Sequence, residues 1–285
     1  MTNDKIAWAA QIACLLEVCA EKPGNVTRHK DFNDTCFEDF VISAAAIGPA
    51  FQRAADAPVG ETIIQAVRVT RRFVGGNTNL GIVLLLAPLA KAAGLDHSDA
   101  LRLAVGSVLR SLTVDDARLA YEAICLAHPA GMGTVEQFDV RERDVDITLR
   151  EAMTEARDWD AVAREYATDF AITFEIGLTA LLRILEQSVG MLEAVVQTFL
   201  SILAQVPDTL IARKRGIEVA CEVSDRAGEV LDMGGIFSDR GQKEIKRLDL
   251  TLRDEKHTLN PGTTADLVAA ALFVYLVEND LPPLL

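Results

Sequence analysis

The chain has 285 residues, half of them hydrophobic, and its 42 acidic side chains outnumber 28 basic ones for a formal charge of −14. A chain of this length and composition can bury a sizeable core, which excludes a disordered or fibrous protein. The acidic balance repels polyanions, so nucleic acids and anionic membrane surfaces are excluded as partners.

From the N-terminus, Ile6, Ala9, Ala10, Ala13, Leu16 and Ala20 fall on one helical face, interrupted by Lys5, Gln11 and Glu17. This reads as a helix and not as a signal peptide. The most apolar stretch, 81–90, has about half the length a bilayer requires, so a soluble cytoplasmic protein is expected. Ser98-Asp99, Thr113 with Asp116, and Thr263 with Asp266 each stand before an apolar-periodic run as helix-start signals. Residues 170–185 are apolar nearly all round, as in a central buried helix. Strand-length alternation is almost absent. The pattern predicts an all-α fold of about ten to twelve helices in one domain spanning 1–285. Cys14, Cys19, Cys36, Cys125 and Cys221 contain no C-x-x-C pair and read as reduced core thiols.

Five breaks interrupt the helical pattern, at 21–35, 75–79, 128–147, 206–216 and 254–263, each mixing Gly or Pro with charged or amide side chains. The first gathers Lys22, Arg28, Lys30, His29 and three carboxylates between two helices. Pro23 and Gly24 set a turn whose backbone can approach a ligand, and Asp31 and Asp34 are spaced to share a hard cation such as Mg²⁺. A solvated loop with surface ion pairs has the same composition. In the second, Gly76, Asn77 and Thr78 precede a helix start that could hold a phosphate oxygen or serve simply as stop and cap. No Walker A lysine is present. The third contains Gly131-Met132-Gly133, too short to count as a motif.

The fourth break places Arg213, Lys214 and Arg215 one turn after Asp208. The triplet reads as an anion site, or as a charged helix end with Asp208 as N-cap. The fifth, with Asp266, reads as turn and helix cap, the carboxylate being available as a ligand as well. The histidines have no zinc-binding spacing, and neither G-x-S-x-G nor G-x-G-x-x-G occurs.

Taken in order, these segments resemble the triphosphoribosyl-dephospho-CoA synthase family. Lys22-Pro23-Gly24-Asn25-Val26 looks like its P-K-P-G-L-V, and His29-Lys30-Asp31 with Phe37 is similar to G-A-H-x-D-M…F. Gly76-Asn77-Thr78-Asn79-Leu80-Gly81 resembles G-V-N-T-H-K-G, with Asn79 and Leu80 in place of the family's His-Lys pair. Asp208-Thr209 looks like the start of D-T-N-L-x-x-R-G-G, and Asn260 through Leu267 resembles S-P-G-G-S-A-D-L. The resemblance implies a helical transferase that joins C1′ of the ATP ribose to the ribose 2′-hydroxyl of 3′-dephospho-CoA, or of a related acceptor, and expels adenine.

That chemistry wants carboxylates near an oxocarbenium-like centre and cations with Mg²⁺ at the triphosphate. It implies Asp31, Asp34, Asp208 and Asp266 as catalytic carboxylates, the first two also as metal ligands. It further implies Lys22, Pro23, Gly24, His29, Gly76, Asn77, Thr78, Arg213 and Lys214 as ATP-binding residues. Two other classes use the same loops: a Mg²⁺-dependent hydrolase of nucleotide or ADP-ribose bonds, and a non-catalytic helical binding module. Oligomeric state is left open, a homodimer included.

Overall fold

Helical spacing becomes helix throughout the computed structural model, which describes residues 1–95, 100–129 and 145–279. In chain order the helices are α1 (Asn3–Cys19), α2 (Phe37–Ala46), α3 (Gly48–Phe51), α4 (Val59–Phe73), α5 (Leu80–Gly94), α6 (Leu101–Arg110), α7 (Val114–Ala127) and α8 (Leu149–Ala156). They continue with α9 (Ala161–Ala167), α10 (Thr179–Leu185), α11 (Met191–Gln205), α12 (Thr209–Arg215), α13 (Ile217–Asp232), α14 (Asp239–Leu252) and α15 (Gly262–Glu278). A π-helical segment, Ile172–Leu178, runs into α10. The chain is 72% helical, and among the described residues there are no strands, the one extended pairing being an isolated bridge between Thr27 and Lys30. The fifteen α-helices among the described residues exceed the expected ten to twelve because several are short: α3 has four residues and α9, α10 and α12 have seven each. The Ser98-Asp99 start signal and Gly131-Met132-Gly133 lie outside the described residues.

The central pair is α5 and α15, each buried along nearly its whole length. Around them pack α1, α4, α6, α11 and the π segment, forming one continuous apolar core. Residues 170–185, expected at the centre, instead lie partly at the surface, with Glu175 and Leu182 exposed. Left-handed Asp169 and Phe170 (φ 50° and 60°) turn the chain just before the π segment. The buried Glu165 carboxylate accepts hydrogen bonds from the Ile172 and Thr173 amides and the Thr173 hydroxyl, satisfying that segment's first donors. Burial pushes Glu165 up to about 7 against those hydrogen bonds. Of the cysteines, only Cys14 is buried and Cys221 is exposed, so the thiols are not uniformly core residues.

Caps tie helix starts together. Thr113 and Asp116 form the expected capping box on α7, and the other Asp116 oxygen accepts the Gly60 amide of α4 at 2.7 Å. Inside α5, Pro88 has no N–H for the Leu84 carbonyl, and the buried Tyr166 hydroxyl donates to that oxygen instead at 2.6 Å. Tyr166→Phe should therefore leave an unpaired buried carbonyl and lower stability by about 1–3 kcal/mol in urea unfolding. A loss below about 0.5 kcal/mol would mean that the carbonyl is satisfied without the tyrosine.

Candidate functional site

The 21–35 loop is fastened to the end of α14 and the start of α15. Gly24 takes φ 78°, and a Cβ there would lie 2.8 Å from Leu252 Cβ and 3.0 Å from Pro261 Cδ. Only glycine combines that dihedral with so close an approach. The Gly24 amide donates to Asp249 Oδ1 at 2.9 Å, beside the buried Pro23. Arg253 donates both to Asp249 and to the Asn25 carbonyl, and Lys30 pairs with the second Asp249 oxygen. Burial raises Asp249, but these donors outweigh it and hold the carboxyl below its usual range. Asn25 Nδ2 bonds Asn260 Oδ1 at 2.8 Å, and Phe32 stacks on His257 with centroids 3.8 Å apart. His29 stands exposed on the outer bend.

Lys22 is 0% exposed. Its ammonium donates to the Glu17 and Ala20 carbonyls at the end of α1 and pairs with the buried Glu17 carboxylate at 2.9 Å. It thus closes a helix C-terminus in place of facing solvent. Asp31 is exposed and accepts the Phe37 amide, capping α2. Asp34, also exposed, accepts the Thr35 hydroxyl, and its charge is felt at Lys214. No three His, Cys, Asp or Glu side chains come together as a metal cage among the described residues.

The 75–79 loop lies against the first, the open side of Gly76 facing the Thr35 hydroxyl. Asn77 Oδ1 accepts the Leu80 amide at 3.1 Å as the cap of α5, and Thr78 shares a 2.6 Å hydrogen bond with Ser43. Asn79 is buried and donates to Thr70, while Leu80 is a core residue.

The starts of α5, α9, α12 and α15 meet at the next layer. Asp208, 1% exposed, N-caps α12 through Oδ1, accepting the Leu210 and Ile211 amides. Its Oδ2 accepts the Thr264 amide and hydroxyl at 2.7 and 2.8 Å, so one carboxylate caps two helices. Burial raises Asp208, opposed by the Thr264 and Ile211 donors. Asp160 caps α9 through Oδ1 and pairs through Oδ2 with Arg213. Lys214 donates to the His257 carbonyl at 2.9 Å and Arg215 to the Thr258 hydroxyl at 3.0 Å. Partial burial lowers Lys214, opposed by Asp208, Asp254 and Asp34.

Asp266 does not close the expected capping box. α15 begins at Gly262 after Pro261, and Asp208, ahead of α12, caps it. Asp266 therefore has no hydrogen-bonding duty among the described residues, and it lies against Gly81, where any Cβ would overlap its carboxyl. Burial pushes its carboxyl well above the ordinary carboxylate range, Glu17, Asp208 and Asp160 adding to the rise and Arg213 opposing it.

Asp208, Asp266, Arg213, Lys214 and Asp34 are thus neighbours, whereas Asp31 serves α2 and Lys22 serves α1. Glu17, Asp160, Asp249 and Arg253 are site-building residues outside every motif. The Asp160 cap position ahead of α9 was the one legible signal among them.

The chain matches the ATP:dephospho-CoA triphosphoribosyl transferase family over residues 3–283. It is 24% identical over 306 aligned positions to a Malonomonas rubra protein named "Probable 2-(5''-triphosphoribosyl)-3'-dephosphocoenzyme-A synthase", covering 97% of this chain and 90% of that protein. A Pseudomonas fluorescens protein of the same name is 29% identical, with 83% of this chain and 78% of that protein covered. A crystal structure from Archaeoglobus fulgidus, titled as a triphosphoribosyl-dephospho-CoA synthase, superposes with a TM-score of 0.65 at 30% identity, covering 83% of this chain and 97% of that one.

Proposed function

The chain belongs to the ATP:dephospho-CoA triphosphoribosyl transferase family, and on that premise we propose that it transfers the triphosphoribosyl group of ATP to the ribose 2′-hydroxyl of 3′-dephospho-CoA, releasing adenine. The supporting observation is the interlocking of distant segments: Gly24 against Pro261, Asn25 on Asn260, Gly76 facing Thr35, Lys214 on His257, Asp208 on Thr264, and Gly81 against Asp266. Segments that merely connect helices have no reason to converge with their charged residues on one another.

In this reading the triphosphate lies across Arg213 and Lys214, with Gly76 and Asn77 presenting donors at the start of α5. Arg213 forks onto phosphate oxygens, and Lys214 is a point charge held by the His257 carbonyl. Asp160 and Asp208 stand close to Arg213, so the polyanion needs a further counter-charge. Mg²⁺ carried by ATP supplies it, because that ion takes one or two carboxylates beside phosphate oxygens and water and needs no protein cage. Asp34 fits as such a carboxylate: it is exposed, its charge is felt at Lys214, and it has one oxygen outside its hydrogen bond to Thr35. Asp31 is the second carboxylate of that loop.

The test is mass spectrometry of the products formed from ATP, 3′-dephospho-CoA and Mg²⁺. Transfer gives free adenine and a triphosphoribosyl adduct. Ribose triphosphate or inorganic phosphate without adduct would establish hydrolysis in its place. In calorimetric titrations, Arg213→Ala should weaken Mg·ATP binding by roughly 1–3 kcal/mol, the range of a charge-assisted hydrogen bond in a partly desolvated site. Unchanged affinity would leave Arg213 as the partner of Asp160 alone.

A further inference from the structure

Three carboxyl groups meet where α9, α12 and α15 begin, and their surroundings differ in kind. Asp208 accepts four hydrogen bonds, and Asp160 accepts two amides and the Arg213 guanidinium. At Asp208 those donors oppose the rise that burial causes. Asp266 accepts none among the described residues and is pressed against the bare backbone of Gly81. The charged and titratable groups facing it are Cys14 and Glu17 from α1, Asp160 ahead of α9, and Asp208 and Arg213 at α12. The Glu17 charge is held in place by the buried Lys22. Of the three carboxyl groups, Asp266 alone has no hydrogen-bond donor among the described residues to favour its charged form.

We propose that Asp266 is the proton donor to the departing nucleobase, a role that rests on the transferase reading above. As the C1′–N9 bond breaks, its electron pair goes to the base, and the Asp266 carboxyl proton passes to a ring nitrogen of that base. Neutral adenine leaves and Asp266 is left as a carboxylate. The acceptor hydroxyl oxygen bonds to C1′ and its proton goes to water, from which Asp266 recovers one. Gly81 is the positioning residue, since a side chain there would fill the space the carboxyl occupies.

A donor whose leaving group needs no proton separates this role from others. Nicotinamide riboside 5′-triphosphate departs as neutral nicotinamide, so Asp266→Asn should lower transfer from ATP to 3′-dephospho-CoA by roughly 100-fold or more, and transfer from the nicotinamide donor by less than about 10-fold. Equal losses with both donors, or no loss with ATP, would overturn the proposal. The variant removes an acid that stands among other acids and is expected to melt no lower than wild type. A second arm needs no variant: the wild-type rate with ATP should fall as pH rises and Asp266 loses its proton. A rate that does not fall across the range of folded protein would overturn the proposal even if the nicotinamide donor is not accepted. Absence of adenine release by the wild type in the presence of 3′-dephospho-CoA would instead refute the transferase reading itself.

Discussion

Replacing Asp208 by alanine is expected to destabilise the protein by roughly 3–5 kcal/mol, from the loss of an N-cap together with a buried amide left unpaired on a second helix. The two carboxylate oxygens serve different helices. Oδ1 holds the first amides of α12, and Oδ2 holds the Thr264 amide and hydroxyl at the start of α15. Alanine leaves the Ile211 and Thr264 amides buried without acceptors. Asparagine keeps a carbonyl oxygen for one helix but turns an amino group toward the donors of the other, so Asp208→Asn should recover only part of the loss. Denaturant unfolding measures both. A small stability change with a large fall in turnover would instead make Asp208 a group that acts on substrate.

The same residue marks how far sequence reading reaches. Local signals were sound: the Thr113–Asp116 box caps α7, Asp208 caps α12, and apolar spacing gave an all-helical chain. What spacing could not carry was the second partner. Nothing near Asp208 in sequence announces Thr264, 56 positions away, nor does anything near Asp249 announce Gly24, 225 positions away. Thr263, three residues before Asp266, gives it the spacing of a cap. Capping of α15 by Asp208 frees it, and only the folded chain contains that information. Residues 170–185 depart from a central position for another reason: apolar composition does not reveal two left-handed residues, and Asp169 and Phe170 turn the chain before the π segment.

Lys22 is where composition and fold diverge most, and Lys22→Met is expected to cost roughly 3–5 kcal/mol, the penalty for leaving one member of a buried ion pair alone. In a loop rich in charge its ammonium reads as a phosphate partner, yet it is enclosed against Glu17 and two carbonyls of α1. Methionine has similar length and removes only the charge and its donors. For a chain of this size the melting temperature should fall by roughly 5–10 °C. The double variant Lys22→Met with Glu17→Gln removes both charges and should recover most of that fall, leaving about 1–2 kcal/mol for the unsatisfied carbonyls. Glu17 also faces Asp266, and removing its negative charge makes the Asp266 proton easier to lose. The ATP-dependent rate of Glu17→Gln alone should therefore decline at a lower pH than that of wild type. Should Lys22→Met instead leave the melting temperature unchanged and abolish Mg·ATP binding, the lysine would be a phosphate ligand and its pairing with Glu17 incidental.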